Sequence, residues 1–261
     1  MRWIMMDENI ALKVENLRKS FGGLQAVKGI SFKVERNSIT GLIGPNGCGK
    51  STTFNTISGL IPYDEGTVTI FGQDATGLPP HEINHLGLSR TFQNTRLWRE
   101  LTVIENLLLP PKHQLGTSLK GLFRKFKTWQ IQEEELIEKA FEILEILEIS
   151  HMAYNLASEL SGGQSKLVDI GRVLMSDPKV LLLDEPVAGV AGPLAEKIFH
   201  YLDRLRKERD ISILIIEHNL EFILKEEVDM IYVMNLGEII ASGTPDQIIK
   251  EKAVIDAYLG G

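Results

Sequence analysis

A chain of 261 residues with 43% hydrophobic and 24% charged residues is sized for one large domain, or one domain with a lobe, around a packed core. Its net charge of −7 argues against a dedicated nucleic-acid binder, and its longest apolar runs, such as VLLL and ILII, fall far short of the ~20 residues a membrane helix needs. The single cysteine, Cys48, can form no internal disulfide, which fits a reducing compartment, and the opening MRWIMMDENIALKV holds too short an apolar run for a secretory signal.

In chain order, residues 10–35 alternate apolar and polar (IALKVENL, ISFKVE) and 66–72 (GTVTIFG) repeat the alternation, so a small, mostly antiparallel sheet is expected there. SITGLI, 38–43, reads as a short apolar strand running into a glycine loop and then a helix, KSTTFNTISGL. From about 96 to 175 the strand pattern gives way to helices. EEELIEKAFEILEILEIS, 133–150, is amphipathic with an acidic outer face. PPKHQLGTSLKGLFRKFKTWQ, 110–130, is basic and aromatic, and reads either as a solvated loop with a short helix or as a contact surface for a partner or lipid headgroups. LSGGQSKLVDIGRVL, 160–174, begins another helix, with Ser161 as its candidate cap and two glycines that let a ligand approach the backbone. KVLLLD, 179–184, and SILIIE, 212–217, flank a helical segment at 193–208 and read as buried parallel strands. YVMNLGEIIASGTP, 232–245, reads as a hairpin turning at Asn235–Gly237, and a helix over about 245–258 closes the chain.

Two stretches carry the chemistry. GPNGCGKST, 44–52, fits the phosphate-loop spacing and sits between a predicted strand and a predicted helix. Gly44, Asn46, Gly47, Cys48 and Gly49 would wrap backbone N–H groups around a β-phosphate, with the helix start adding a positive field. Lys50 would bridge the β- and γ-phosphates, the Ser51 hydroxyl would ligate Mg²⁺, and Thr52 would steady the α-phosphate. VLLLDEP, 180–186, delivers two adjacent carboxylates to the carboxyl end of a buried strand, where ligands bind in parallel sheets. Asp184 would hold Mg²⁺, through water, and Glu185 would act as general base on the attacking water. His218, after SILIIE, is placed either to bond the γ-phosphate or to orient Glu185. Gln93, in SRTFQN, would touch Mg²⁺ and the water and report nucleotide state to the helical lobe; Phe21, in KSFGG, offers a ring to stack on adenine. A GTPase would carry an Asn-Lys-x-Asp base reader, and none occurs.

The phosphate loop, Gln93, LSGGQ, LLLDEP and His218, in this order, resemble the ATP-binding cassette ATPase family from Phe21 to the terminal helix. The resemblance implies an α/β fold: a phosphate-loop NTPase core with a mixed, largely parallel sheet, an N-terminal antiparallel β subdomain and an inserted helical subdomain. The expected division is 1–95 and 176–261 for the core and 96–175 for the helical part, one cassette overall. It also implies ATP hydrolysis with Mg²⁺ by two subunits facing head to tail, so that Ser161, Gly162, Gly163 and Gln164 read the γ-phosphate held by a partner. More narrowly, GLSRTFQNTRLWRELTVIENLLL, the long insert at 110–135, DEPVAGVAGPLAEKIF and GTPDQIIKEKAVIDAYLG are similar to ATPase subunits of importers for branched-chain amino acids and related amides. Such importers imply a second ATPase subunit, two membrane permease subunits, an external solute-binding protein, no nucleic acid, and a peripheral place on the cytoplasmic face of the membrane. An exporter, or a cassette working on DNA or ribosomes, is the alternative. Two departures stand out: Ala191 replaces an aspartate frequent in the family, and Ser165-Lys166-Leu167 replaces a frequent Gln-Arg-Arg.

Overall fold

The computed structural model describes residues 9–91, 97–111, 126–190, 192–218, 224 and 227–259. Four strands, β1 (Ile10–Phe21), β2 (Leu24–Glu35), β4 (Glu65–Ile70) and β5 (Gln73–Asp74), form an antiparallel sheet in the order β2-β1-β4-β5. Their alternating inward residues, Leu12, Val14, Ile30, Phe32, Val68 and Ile70 among them, are buried.

The second sheet holds β3 (Ile39–Ile43), β6 (Leu88–Arg90), β7 (Val180–Asp184), β8 (Ser212–Glu217), β9 (Met230–Asn235) and β10 (Glu238–Gly243). Their order is β10-β9-β3-β8-β7-β6, parallel except for the β9–β10 hairpin. Every residue of β3, β7 and β8 is buried, which is why these stretches read as continuous apolar runs. Ile43 lies opposite Glu217 and Val233, and Asp184 opposite Ile216, so the carboxyl ends of four strands line up along one edge. The hairpin turns on Leu236–Gly237, both at positive φ (46° and 88°), the backbone a two-residue turn demands.

The helices are α1 (Lys50–Ile57), α2 (Pro80–His85), α3 (Val103–Leu108), α4 (Phe126–Ile146), α5 (Gly162–Leu174), α6 (Gly192–Arg209), α7 (Pro245–Ile248) and α8 (Lys252–Leu259). Helix α4 is shifted from the expected 133–150. No glycine or proline interrupts it upstream, and downstream Glu148 turns left-handed (φ 56°). The amides of Glu148 and Ile149 then return to the carbonyls of Glu145 and Leu144 at 3.1 and 2.9 Å, a Schellman stop. The terminal helix is two pieces, not one. Ile248 and Val254, one on each piece, are both buried. Helix α2 and strand β6 have no counterpart in the sequence reading.

The chain forms two compact units, one from residues 1–93, 179–188 and 202–261, the other from 94–178 and 189–201. Both sheets and their core lie in the first. In the second, α3, α4 and α5 bury Leu107, Ile143, Leu144, Leu167, Ile170 and Leu174. Residues 189–201, expected in the core, sit with this helical unit: the Glu148 carboxylate accepts from Tyr201 Oη (2.9 Å) and Lys197 Nζ (3.2 Å). Among the described residues no helix is long and apolar enough to cross a membrane.

Candidate active site

The loop between β3 and α1 needs glycine at two points. Gly44 has φ 152°, and a Cβ there would stand 2.0 Å from the Met234 carbonyl oxygen; Gly49 has φ 111°, and its Cβ would stand 2.4 Å from the Ala26 oxygen. The loop therefore presses directly against the backbone of β2 and β9. Gly49 is the N-cap of α1 and supplies no side-chain bond, so the first-turn amides keep their donors for a ligand. That first turn, Lys50, Ser51 and Thr52, lines a cleft of about 510 Å³ with Asn46, Gly47, Gly49 and Glu185. Lys50 is 6% exposed, and its ammonium donates to the carbonyls of Gly44 (2.7 Å) and Pro45 (3.0 Å). Cys48 is absent from the cleft lining: its side chain is buried in the core and its amide bonds the Pro45 carbonyl.

The far end of the cleft is apolar. Phe21, Leu24 and Leu236 line it although half or more of each is exposed, a surface suited to a flat ring. Lys19 Nζ stands 5.2 Å from the Phe21 ring centre. The hairpin turn that carries Leu236 is fixed by two bonds, Gly237 N–H to the Cys48 carbonyl (3.0 Å) and Lys28 N–H to the Gly237 carbonyl (2.8 Å).

The acidic groups come from the ends of β7 and β8. Asp184 is buried, accepts from Arg90 Nη2 at 3.2 Å, and donates its own amide to Thr91 Oγ1 at 3.3 Å. Burial lowers the pKa of the Arg90 guanidinium, and the charge of Asp184 opposes that shift. Glu185 sits at φ 50°, a conformation costing on the order of 1–3 kcal/mol for a residue with a Cβ, and its amide is tied to the Ile216 carbonyl at 3.0 Å. His218 Nδ1 lies 3.3 Å from Glu185 Oε1, which brings together the two groups the sequence placed on separate strands. Glu217, the residue before His218, is buried and accepts from the Val187 amide at 3.2 Å.

Burial pushes the Glu217 carboxyl up from 4.5 to about 7, against the Val187 amide and the His218 charge, which lower it, and with Glu185, which raises it. Between these two values the folded chain binds a proton that the unfolded chain has released, so stability falls as pH rises through this window. Above pH 7 the ionised group costs roughly 3 kcal/mol. Glu217→Gln keeps an acceptor for the Val187 amide and cannot ionise. Its urea midpoint should match the parent's near pH 5 and exceed it at pH 8; parallel profiles would mean that Glu217 ionises without cost.

In the helical unit, Ser161 caps α5 in a reciprocal box: Gln164 N–H donates to Ser161 Oγ (3.3 Å) and Ser161 N–H to Gln164 Oε1 (2.8 Å). Ser161 and Gly162 are exposed, and Gly163 is buried beside Leu194. Gln93, Ala191 and residues 112–125 of the basic stretch lie outside the described residues. Sequence reasoning missed Arg90, Glu217 and Leu236. The first two had a signal: a lone cation in GLSRTF, and an acid closing the otherwise apolar SILII.

Among the described residues no cluster of three or more His, Cys, Asp or Glu could hold a metal unaided. The hydroxyl of Ser51 lines the cleft, and the Asp184 carboxylate immediately precedes Glu185, which lines it too. Two hard oxygen donors with room for water and phosphate suit Mg²⁺, which seldom uses an all-protein cage.

Residues 27–188 match the ABC transporter family, and residues 238–261 match the branched-chain amino acid ATP-binding cassette transporter family. A probable branched-chain amino acid transport ATP-binding protein LivG of Methanocaldococcus jannaschii is 45% identical over 260 residues, covering 98% of this chain and 100% of its own. An ATP-binding cassette of an ABC transporter solved in its ADP conformation superposes with a TM-score of 0.82 at 42% identity, over 97% of this chain and 99% of that one. A dimeric bacterial ABC transporter cassette superposes at 0.73 with 26% identity, over 90% and 98%. With a phosphate loop, an adjoining carboxylate pair and a capped LSGGQ helix on this fold, the chain belongs to the ABC transporter family, as one of its ATP-hydrolysing cassettes.

Proposed function

We propose that the chain is the energising subunit of an importer for branched-chain amino acids or related amides. The observation that carries this reading is the match of the tail, 238–261, to the branched-chain cassette family, joined to 45% identity with a LivG protein over the whole chain. ATP enters the cleft with its base against Phe21 and Leu236 and its phosphates on the α1 amides and Lys50. Mg²⁺, held by Ser51 and Asp184, would neutralise phosphate charge. Glu185 takes the proton of the attacking water, and His218, 3.3 Å away, fixes the direction of that carboxylate. The strained φ of Glu185 supports this role, since such strain persists where the surroundings over-determine a functional geometry. Gln93 couples the nucleotide to the helical part, 96–175.

The exposed Ser161–Gly162 start of α5 is the second phosphate cradle, and it serves a partner's nucleotide. The working unit is thus a dimer of cassettes on two permease subunits at the cytoplasmic face of a membrane, supplied by an external solute-binding protein. The existence of a dimeric relative supports the pairing. Ser161→Arg places a bulky cation at the cradle, and Ser161 is not among the residues that line the chain's own cleft. ATP affinity of the isolated chain should stay within about twofold, while ATPase activity that depends on protein concentration falls at least about tenfold. An equal loss of affinity would contradict the two-cradle arrangement. The function itself is tested by co-expressing the chain with its candidate permease subunits and measuring ATP-dependent leucine uptake into proteoliposomes. Recovery with ribosomes or DNA instead of permeases would replace the importer reading.

A further inference from the structure

Arg90 joins the two halves of the catalytic machinery. It ends β6, beside β7, and its guanidinium is almost wholly buried. One arm, Nη1, donates to Asn55 Oδ1 and Ser58 Oγ, both at 2.9 Å, at the end of the helix that begins with Lys50 and Ser51. The other arm, Nη2, donates to Asp184 Oδ2 at 3.2 Å. Nε donates to the Thr91 carbonyl at 3.2 Å, and the cation lies 5.9 Å from the centre of the Phe54 ring, also on α1. One planar, rigid fork thus spans the phosphate-loop helix and the strand that carries Asp184. A buried ion pair of this kind contributes little net stability, because desolvation offsets the attraction. Its value lies in geometry.

We infer that Arg90 is a positioning residue: it sets the Asp184 carboxylate at a fixed distance and angle from the Ser51 end of α1, and so sets how tightly the site takes a divalent cation with nucleotide. The inference rests on the assignment of Ser51 and Asp184 to the metal. Simple removal of Arg90 would confound two effects, since losing its charge favours a cation while losing its fork disfavours one. Arg90→Lys separates them. The charge stays, but a compact ammonium replaces the rigid planar fork whose two arms reach Asn55 and Ser58 on one side and Asp184 on the other.

The probe is Mn²⁺ titrated into the ADP-loaded chain and followed by loss of the free-ion electron paramagnetic resonance signal, with ADP affinity in excess chelator measured beside it. Arg90→Lys should weaken Mn²⁺ binding about tenfold, the scale found when a partner of a metal-binding carboxylate is lost. ADP affinity without metal should not change. The Asn55→Ala/Ser58→Ala double variant keeps Arg90 and its bond to Asp184 while removing both Nη1 acceptors, together with the local bond from Ser58 Oγ to the Phe54 carbonyl; it should shift Mn²⁺ in the same direction, and it carries the test if Arg90→Lys does not fold. A purely structural Arg90 would lower the melting temperature and leave Mn²⁺ affinity as in the parent, which overturns the inference. Asp184→Asn is the control on the underlying assignment. If it too binds Mn²⁺ like the parent, the metal assignment falls; if it loses Mn²⁺ and the other variants do not, only the role of Arg90 falls.

Discussion

Lys50→Ala should lower ATP affinity by at least about a hundredfold and leave no measurable turnover. An ammonium has three donors. Two of those on Lys50 hold the Gly44 and Pro45 carbonyls, and beyond them the nearest acceptor is the Cys48 sulfur at 3.7 Å, a weak partner. A phosphate oxygen therefore gains a strong donor at almost no exchange cost. A charge-assisted hydrogen bond contributes about 1.5–3 kcal/mol, and a side chain that bridges two phosphates makes two of them. Truncation also leaves two loop carbonyls without their cation, so the cradle loosens as the charge disappears. The two consequences separate by experiment: ATP titration reads the first, and amide exchange at Asn46–Gly49 reads the second. Unchanged affinity in a folded Lys50→Ala chain would remove the phosphate-loop assignment.

What could be read from the sequence was what is encoded locally. The strand–loop–helix from Ile39 to Ile57 was legible because the glycines, Lys50 and Ser51 are consecutive and their spacing is set by one ligand. The β9–β10 hairpin was legible because Asn235–Gly237 announces its own turn. Strand β6 was not. Three residues are too few to show a period, and Leu88–Arg90 become a strand only because β7 offers them a parallel edge. The same long-range pairing hid Arg90, whose partners Asn55, Ser58 and Asp184 lie 32 to 94 positions away in the chain. Glu217 was hidden differently. An acid that closes an apolar strand is visible in the sequence, but only its burial in the central strand β8 makes it a carboxyl near neutrality.

Glu185→Gln should keep ATP binding and slow hydrolysis by about 10²–10⁴-fold, the range attributed to a positioned general base. The amide has nearly the shape of the carboxylate, so the turn held by the Ile216 carbonyl should persist, as should a bond to the His218 ring 3.3 Å away. What disappears is the capacity to accept a proton. Such a chain is also a trap. In the proposed dimer, closure of two cassettes needs the γ-phosphate, and a site that cannot remove it would stay closed, because the contact driving a bistable element is never withdrawn. Light scattering of Glu185→Gln with and without ATP then reads the mechanism directly. A shift from monomer to dimer with ATP alone means that each exposed Ser161–Gly162 cradle completes the cleft of a second copy. A monomer that binds ATP tightly and stays a monomer means that the second cradle belongs to a different cassette, or that the permeases must first bring two together, and purification from membranes with its partners becomes the decisive preparation. Turnover at the parent's rate in this variant would remove Glu185 from the chemistry and leave the base to be sought elsewhere along the edge where β7 and β8 end.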